Sequence, residues 1–484
     1  MSQTREEADI RGGDAADIAA QRQVLALVAR ARDAQRQIDV YNQAQIDLLV
    51  SAVGWAVIEP GNNLALATLA VRDTGLGNVA DKVTKNHRKT LGLLRDLHGK
   101  KTVGVIRDDP HRGITEIARP VGVVAAITPS TNPVATVVNN IINALKCRNA
   151  IIIAPSPKGA TSCALLLEYI YRELDVLDLP HGLVQMLPVP VTRRHTAWLM
   201  RAADLVIVTG SRANVAAAAQ SGTPAFGVGA GNVAAIISAS ADLAAASQKI
   251  AASKTFDNAT SCSAENSVII PAERYRPMLA ALAQQGGVLL TAPEKIRLQQ
   301  ALWPHGDGKL ARELIGRPAP LIAAAVGLRR PACLAARFFM VEERGVGADF
   351  PFSGEKLAPI LTVYQAQDFR QACARVRELY AWQGAGHSVG LHGTDPAEAL
   401  QAGLDLPVSR VIVNQAHSFA AGGNFDNGLP FTLSLGCGTW GGNHFSANLN
   451  YRHFFNKVRI SRPIKENMPS LDALFGEYLL RRAG

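Results

Sequence analysis

One cysteine of this 484-residue chain lies in surroundings that suit a nucleophile. Cys262 belongs to TFDNATSCSAENS, a polar segment between a predicted helix and an apolar strand, whereas Cys163 stands beside the apolar run 165–167. No histidine is close to Cys262 in the sequence, so a Cys–His dyad is not indicated. Because a lone buried cysteine often serves as a small apolar filler, the segment leaves two roles open for Cys262, packing and nucleophilic attack.

The segment TPSTNP, at residues 128–133, follows a predicted strand and opens a helix. Backbone N–H groups at such a turn can bind an anion. The side-chain amide of Asn132 can donate a hydrogen bond to a developing oxyanion, although an ordinary helix N-cap is the alternative role. This segment is therefore the second candidate for chemistry.

A glycine-rich segment, GVGAGN at residues 227–232, has the composition of a dinucleotide fingerprint but not its order. It precedes the predicted strand 233–238, whereas the fingerprint follows a strand. We therefore interpret it as a close-packed turn. Residues 209–211 do end a predicted strand and open a helix, so Ser211 is the better candidate for a pyrophosphate contact.

Composition and charge exclude several kinds of protein. None of the six cysteines forms a CxxC pair, which argues against zinc and thioredoxin-like sites, and no metal is predicted. The net charge of +10 comes from dispersed Lys and Arg residues, without the basic run of a nucleic-acid groove. It suits anionic ligands, although an incidental basic surface would explain it equally. With no apolar leader or membrane-length run, we expect a cytoplasmic protein without membrane or nucleic-acid partners.

Short apolar strands alternate with helices over much of the chain, after a helical region between residues 19 and 97. Strands are predicted at 121–127, 150–154, 184–187 and 205–209, with helices at 133–145, 159–174, 193–202 and 212–219. A second region has strands at 267–270, 288–290, 361–364 and 388–391, with helices at 274–284 and 369–379. The predicted fold class is α/β, with two doubly wound domains that bind ligands beyond the carboxyl ends of their strands.

Seven collinear segments resemble the aldehyde dehydrogenase superfamily, and specifically its coenzyme A-acylating branch. They are DTGLGNVADKVTKNH, PSTNPVATVVNNIINALKCRNAIIIAPSPK, FGVGAGN, KTFDNATSCSAENSVII, FSGEKLAPIL, GAGHSVGLHG and LSLGCGTWGGN. The similarity runs from about residue 27 to residue 462. This branch includes the aldehyde dehydrogenase half of bifunctional aldehyde–alcohol dehydrogenases and the acylating sulfoacetaldehyde dehydrogenases. Each segment alone is a weak signal, and their common order makes the set specific.

The resemblance implies a role for each matching residue. Cys262 matches the nucleophile, Asn132 the side chain that holds the oxyanion, and Glu355 the carboxylate that grips the nicotinamide ribose. His387 matches a histidine near the active site, with a packed loop histidine as the alternative. The other expected cofactor contacts are Thr128, Pro129, Ser156, Lys158, Arg194, Gly210, Ser211, Gly229 and Leu357.

Two departures from related patterns refine this expectation. Hydrolytic relatives carry a water-activating glutamate where this chain has no carboxylate, at residues 225–232. A thioester on Cys262 would therefore await a thiol, which ionises more easily than water. NAD-dependent relatives place a Lys and a Glu after the strand that here ends in APSPK. Loss of that Glu favours NADP over NAD, with Lys158 and Arg194 as phosphate partners.

The resemblance implies a ping-pong reaction in which aldehyde, coenzyme A and NAD(P)⁺ give acyl-coenzyme A and NAD(P)H. The expected substrate lining is polar and comprises Thr136, Asn139, Asn140, Ser261, Ser263, His417, Ser418 and Asn424. A buried polar site is costly unless a ligand satisfies it, which favours a small anionic aldehyde, sulfoacetaldehyde first. Acetaldehyde, propanal and succinic semialdehyde are alternatives. Two other hypotheses are a hydrolytic dehydrogenase that releases a free acid and a non-catalytic scaffold paralogue.

The resemblance also divides the chain. Residues 1–100 and 122–250 are expected to form the dinucleotide-binding, Rossmann-like domain, and 251–440 the catalytic domain. Residues 101–121 and 441–465 would form an oligomerisation arm and a late strand. A two-stranded ribbon is marginal alone and its edge invites pairing. We therefore expect at least a homodimer with two-fold symmetry, the alternative being that both segments fold back on their own subunit.

Overall fold

The computed structural model describes residues 3–229, 231–306 and 308–483, with side chains from residue 15 onward. Within these residues the α-helices are α1 (Gln3–Ile38), α2 (Gln43–Ile58), α3 (Pro60–Thr74), α4 (Val79–Leu97), α5 (Ala135–Lys146), α6 (Ala160–Val176), α7 (Arg193–Ala202), α8 (Arg212–Gln220), α9 (Leu243–Thr255), α10 (Ala272–Gln284), α11 (Ala292–Leu302), α12 (Ala319–Ala325), α13 (Pro331–Leu334), α14 (Phe369–Trp382), α15 (Pro396–Asp405), α16 (His417–Ala420) and α17 (Leu471–Ala483). The strands are β1 (Gly104–Asp109), β2 (Ile114–Pro120), β3 (Val123–Thr128), β4 (Ala150–Pro155), β5 (Val184–Met186), β6 (Leu205–Thr209), β7 (Ala225–Val228), β8 (Val233–Ile237), β9 (Glu265–Pro271), β10 (Gly287–Leu289), β11 (Phe338–Glu342), β12 (Ile360–Ala366), β13 (Val389–His392), β14 (Val411–Val413) and β15 (Phe455–Ser461). Short 3-10 helices span Pro157–Gly159, His181–Leu183, Phe256–Ala259, Pro351–Ser353, Thr439–Gly441 and Tyr451–His453.

The first parallel sheet has five strands in the order β5-β4-β3-β6-β7. Every residue of β3 and β4 is buried, as expected for a parallel sheet that is covered on both faces. Val124 and Ala126 pack in one core with α2, α5 and α6, while Val123 and Ala125 pack in another with α1 and α7. The α/β class and the doubly wound arrangement are therefore confirmed.

The second parallel sheet has seven strands in the order β10-β11-β12-β9-β8-β13-β14. Its strand β8 precedes residue 251, yet it pairs with β9 and β13. The change of sheet therefore falls between Val228 and Val233, earlier than the expected division at residue 250. The short apolar sequence of β8 suits a buried strand of either sheet, so only its pairing reveals which one it joins.

A third, antiparallel sheet has the order β1-β2-β15. Strand β15 pairs with β2 from Phe455 opposite Pro120 to Ser461 opposite Ile114. The late strand expected within residues 441–465 spans only Phe455–Ser461. The apolar residues Phe445, Leu449 and Phe454 precede it and are buried in the core on one face of the first sheet. No helix in the described part of the chain is long and apolar enough to cross a membrane.

Candidate active site

Cys262 lies in the loop between the 3-10 helix Phe256–Ala259 and β9, and it lines a cavity of about 50 Å³. Four other residues expected from the sequence line the same cavity, namely Asn132, Ser261, Ser263 and Ser418. The structure thus brings the end of the β3–α5 loop, the Cys262 loop and helix α16 together around one small space. We name this space the aldehyde cavity.

The thiol of Cys262 is held in its neutral form. Burial raises its pKa to about 12, and the nearby charges of Glu355 and Cys437 act in the same direction, whereas Arg410 opposes them. A thiolate is the reactive species. The proton must therefore leave Cys262 as the site fills and reacts, because the free protein holds almost none of the thiolate at neutral pH.

Asn132 does not cap a helix. Helix α5 begins at Ala135, and its N-cap residue is Val134, which makes no side-chain cap bond. The Asn132 Oδ1 atom instead accepts a hydrogen bond from Lys85 Nζ at 2.9 Å. Its Nδ2 group has no hydrogen-bond partner among the described residues. The amide NH₂ is therefore free to donate to an oxyanion formed beside Cys262.

Helix α4 contributes three cations to the aldehyde cavity that the sequence analysis did not identify. Lys85, Arg88 and Lys89 are spaced i, i+3 and i+4, so they share one face of the helix, and all three line the cavity. Arg88 donates to Asn424 Oδ1 at 2.5 Å and lies over the Phe425 ring. The only indication of these cations in the sequence was that Lys85 belongs to DTGLGNVADKVTKNH, one of the segments that match the family.

Lys89 is a half-buried cation without an ion pair among the described residues. Its Nζ donates to the carbonyl oxygens of Gly422 at 2.9 Å and Gly423 at 3.3 Å. Burial lowers the pKa of Lys89 to about 7, and the charges of Lys85 and Arg88 lower it further, against the opposing effect of Asp96. A half-buried cation whose partners are two carbonyl oxygens and the Phe431 ring is stabilised further by an anionic ligand.

Six expected residues lie outside the lining of the aldehyde cavity, namely Thr136, Asn139, Asn140, His387, His417 and Asn424. Thr136 and Asn140 are fully buried within α5, because they lie on parts of the helix that pack against its neighbours. His417 and His387 are also buried, and Ser388 Oγ bridges His417 Nε2 at 2.8 Å and His387 Nδ1 at 2.7 Å. Burial lowers the pKa of His387 to about 3, so this imidazole is neutral and packed.

A larger cavity of about 760 Å³ lies at the carboxyl ends of β3, β4 and β6, and we name it the dinucleotide cavity. The expected contacts that line it are Thr128, Pro129, Ser156, Gly210 and Ser211. Thr128 Oγ1 and Ser156 Oγ are buried without a partner in the described part of the chain. Because buried hydroxyls are normally hydrogen-bonded and the N-terminus of α8 opens here, these residues fit a dinucleotide.

Two expected phosphate partners do not line the dinucleotide cavity. Lys158 and Arg194 are exposed, and Arg193 and Arg201 line the cavity instead. On helix α7 the residues 193, 197 and 201 share a face, whereas Arg194 is turned away by about 100°. None of the described residues in this lining is acidic.

Glu355 and the glycine-rich turn complete the surroundings of Cys262. Burial raises the pKa of Glu355 to about 8, although Lys254, Lys356, Arg212 and the Gly231 N–H favour its charged form. A Cβ at Gly231 would lie 2.1 Å from the Cys262 carbonyl oxygen, so the turn must pack closely there. The two other expected contacts are Leu357, with a φ of 46°, and Gly229, which lines a separate cavity of about 640 Å³ beside Cys437.

Known proteins resemble this chain along most of its length. The sequence profile described as "Aldehyde dehydrogenase family" matches residues 13–290. A sulfoacetaldehyde dehydrogenase (acylating) from Cupriavidus necator is 62% identical over 96% of this chain and 94% of its own length. A succinate-semialdehyde dehydrogenase (acetylating) from Clostridium kluyveri is 37% identical over 93% and 98%. The structure of an acetylating aldehyde dehydrogenase from Geobacillus thermoglucosidasius has a TM-score of 0.89 and 35% identity, over 94% of this chain and 99% of that one. The chain therefore belongs to the aldehyde dehydrogenase family, within its acylating branch.

Proposed function

We propose that this enzyme converts sulfoacetaldehyde, coenzyme A and NADP⁺ to sulfoacetyl-coenzyme A and NADPH. The observation that carries the substrate is the unpaired ammonium group of Lys89, which lies with Lys85 and Arg88 in the same cavity as Cys262. Lys85 is already paired with Asp257. Arg88 and Lys89 have no ion pair among the described residues, so a negatively charged aldehyde supplies a counter-charge that an alkyl aldehyde does not. The 62% identical relative named for sulfoacetaldehyde supports this choice.

The size of the aldehyde cavity favours a short anion. The space is only about 50 Å³, and the anionic head of sulfoacetaldehyde is one bond nearer its carbonyl carbon than that of succinic semialdehyde. Ser261 and Ser263 line the same space and hydrogen-bond to each other at 2.8 Å, so their hydroxyls can turn toward a bound oxyanion group. The proposed substrate is therefore small, anionic and hydrogen-bonded at both ends.

The first half of the reaction uses Cys262 and Asn132. The Cys262 thiol releases its proton to solvent as its sulfur forms a bond to the aldehyde carbon, and the carbonyl π electrons move to the oxygen, which becomes an oxyanion. Asn132 Nδ2 and the Cys262 backbone N–H donate to that oxyanion. A bound nicotinamide supplies the hydride acceptor. As the carbonyl re-forms and the hydride leaves the carbon, an acyl thioester remains on Cys262.

The second half of the reaction transfers the acyl group to coenzyme A. The coenzyme A sulfur bonds to the acyl carbon, the carbon–sulfur bond to Cys262 breaks, and the proton of the coenzyme A thiol passes to the departing Cys262 sulfur, which returns the cysteine to its starting state. None of the described residues that line the aldehyde cavity carries a carboxylate. Water in that cavity therefore lacks a general base there, and the thioester persists until a thiol arrives.

The choice of NADP rests on the charge of the dinucleotide cavity. Arg193 and Arg201 contribute to its lining, and no acidic residue is among the described lining residues. A 2′-phosphate would meet cations without repulsion from a carboxylate. Thr128, Ser156, Ser211 and Glu355 are the side chains that would hold the rest of the cofactor.

A coupled assay tests the proposed function directly. Reduction of NADP⁺ is measured with sulfoacetaldehyde, succinic semialdehyde, propanal and acetaldehyde, each with and without coenzyme A. The expected result is the highest kcat/KM with sulfoacetaldehyde and a strict requirement for coenzyme A over many turnovers. Equal rates without coenzyme A, with release of the free acid, would establish a hydrolytic enzyme instead. A lack of turnover with every aldehyde would support the scaffold hypothesis.

We also propose that the enzyme forms at least a homodimer with two-fold symmetry. The sheet β1-β2-β15 supports this proposal, because Val105, Val458 and Ile460 are between 41% and 50% exposed on it and its outer strands have free edges in the described chain. Light scattering at micromolar concentration is expected to give twice the monomer mass or more. A monomer mass would refute the proposal, and a dimer that survives Val458→Glu with Ile460→Glu would indicate a different surface.

A further inference from the structure

We propose that Lys85, held in place by Asp257, is a positioning residue that turns the amide of Asn132 so that its NH₂ group serves the oxyanion. The inference rests on the proposed role of Asn132 but not on the identity of the aldehyde. The contact that carries it is the hydrogen bond from Lys85 Nζ to Asn132 Oδ1, at 2.9 Å.

The chemistry of lysine determines which atom of the amide faces it. An ammonium group has only donors, and an amide has one acceptor oxygen and one donor nitrogen. Asn132 must therefore present its oxygen to Lys85, and its nitrogen lies on the other side of the amide. Without Lys85 the amide could rotate by 180°, which would place an oxygen lone pair against a negatively charged oxyanion.

Asp257 is the anchor for this arrangement. Its side chain is completely buried, and its carboxylate accepts from four donors, which are Asn78 N at 3.1 Å, Lys82 Nζ at 3.0 Å, Lys85 Nζ at 2.5 Å and Thr260 Oγ1 at 2.7 Å. Burial alone would raise the pKa of Asp257, but the two ammonium groups hold it below its ordinary value. The carboxylate is therefore charged, and it confines Lys85 Nζ to one place.

The backbone near Asp257 joins this anchor to the nucleophile. Asp257, Asn258 and Ala259 have φ values of 51°, 52° and 59°, which are unfavourable for residues with a Cβ and persist only where contacts impose them. Asn258 Nδ2 donates to the Gly316 carbonyl at 3.0 Å. The same strained turn leads to Cys262 within three residues of its end. Helix α4 thus holds the turn before the nucleophile and the amide of Asn132 through one carboxylate–lysine contact.

The close approach of the chain at Gly77 supports the same arrangement. A Cβ at Gly77 would lie 1.8 Å from Asp257 Oδ1, and its φ is 75°. Only glycine allows the start of α4 to come close enough for the Asn78 N–H to reach this carboxylate. The segment DTGLGNVADKVTKNH therefore builds the anchor with its glycine, its backbone and its two lysines.

A double-mutant cycle with Lys85→Met and Asn132→Ala tests the proposal. Lys85→Met leaves the Asp257–Lys82 ion pair in place. With propanal, a neutral aldehyde, we expect Lys85→Met to lower kcat by roughly 10- to 100-fold, with KM changed less than kcat. In the Asn132→Ala background the same substitution is expected to cost less than about 3-fold, because there is no longer an amide to orient.

The matched control is Lys89→Met, measured with sulfoacetaldehyde. Lys89 does not contact Asn132, so its effect and that of Asn132→Ala are expected to multiply. Should Lys85→Met fail to fold, Lys85→Gln takes its place, since it keeps a polar group against Asp257 and removes the ammonium.

Three results would overturn the proposal. Independent, multiplying effects of the Lys85 and Asn132 substitutions would show that Lys85 acts elsewhere. A change confined to KM would assign Lys85 to substrate binding alone. If Asn132→Ala by itself leaves kcat intact, the proposed oxyanion role fails and the positioning role fails with it. Multiplying effects of the two substitutions would refute only the positioning role of Lys85.

Discussion

The two cavities are built in different ways, although neighbouring parts of the segment 128–132 line them, residues 128–130 for the dinucleotide cavity and Asn132 for the aldehyde cavity. The dinucleotide cavity, of about 760 Å³, is lined largely by residues that end strands or begin helices of the first sheet. The aldehyde cavity, of about 50 Å³, takes its charge from helix α4, whose Lys89 contacts a segment 333 residues later in the chain. The cavity for the dinucleotide is thus formed by strand ends and helix starts, whereas the cavity for the aldehyde depends on side chains that are brought together only by tertiary packing.

The largest expected effect comes from the residue on which the whole reaction depends. Cys262→Ala removes the sulfur that carries the acyl group, so we expect NADPH formation to fall by roughly 10⁴-fold or more. Steady-state absorbance at saturating aldehyde measures it. The matched control is Cys163→Ala, a buried cysteine in the core of the first domain, which is expected to stay active. Activity of Cys262→Ala within tenfold of the wild type would contradict the assignment.

The next-largest effect tests Asn132, in the segment between strand β3 and helix α5. Asn132→Ala is expected to lower kcat by roughly 10²- to 10³-fold, because one oxyanion donor is lost. Single-turnover measurements of NADPH formation isolate the acylation step. If only KM changes, Asn132 positions the aldehyde and does not stabilise the oxyanion.

A smaller effect separates the aldehyde cavity from the dinucleotide cavity. Lys89→Met removes the cation that we propose to bind the anionic end of the substrate, so kcat/KM for sulfoacetaldehyde is expected to fall roughly 10- to 100-fold. The value for propanal and the KM for NADP are expected to change much less. Lys465→Met, on the exposed C-terminal segment, is the surface control. An equal loss with both aldehydes would show that Lys89 has a structural role only.

The pH dependence sharpens the same contrast. Because burial lowers the pKa of Lys89 to about 7, this group is charged below that pH and neutral above it. The ratio of kcat/KM for sulfoacetaldehyde to that for propanal is therefore expected to fall several-fold from about pH 6 to about pH 8. Both aldehydes require the ionised thiol of Cys262, so its ionisation affects both kcat/KM values equally and does not change their ratio. A flat ratio, or a fall that persists in Lys89→Met, would contradict this explanation.

The smallest expected effect lies in the dinucleotide cavity. The wild type is expected to have a higher kcat/KM with NADP than with NAD, and Arg193→Ala to reduce that preference by about 5-fold, as for one partly exposed ion pair. Arg194→Ala is the matched control, because Arg194 is exposed and outside the cavity lining. A wild-type preference of tenfold or more for NAD would refute the proposed role of these arginines.

The sequence predicted most of the first sheet because local patterns are sufficient there. The predicted strands 150–154 and 205–209 and the predicted helix 193–202 agree with β4, β6 and α7 within a residue. Strands β7, β11 and β14 were missed, since each is short or lies among residues without a clear alternation. The order of strands, and the sheet to which β8 belongs, depend on pairings that are distant in sequence.

The residues of the candidate site also differ in whether a local sequence pattern predicts them. Cys262, Asn132, Ser156 and Ser211 stand in local motifs, at loop or strand ends, where a parallel sheet presents its residues to ligands. Lys158 and Arg194 were wrong as lining residues. Arg194 is turned away because one step along an α-helix rotates a side chain by about 100°, and Lys158 is exposed in the 3-10 helix Pro157–Gly159.

The sequence by itself determined the family and the absence of a carboxylate in GVGAGN, and it predicted Cys262 as the nucleophile. The tertiary structure alone decided that Lys85, Arg88 and Lys89 face the reaction. In the sequence these residues look like the solvated face of a charged helix. They line the aldehyde cavity because the segment around Gly422 and Phe431 covers that face. Partial burial then makes the charges of Arg88 and Lys89 costly unless an anion is present, and no local pattern in α4 reveals what will cover it.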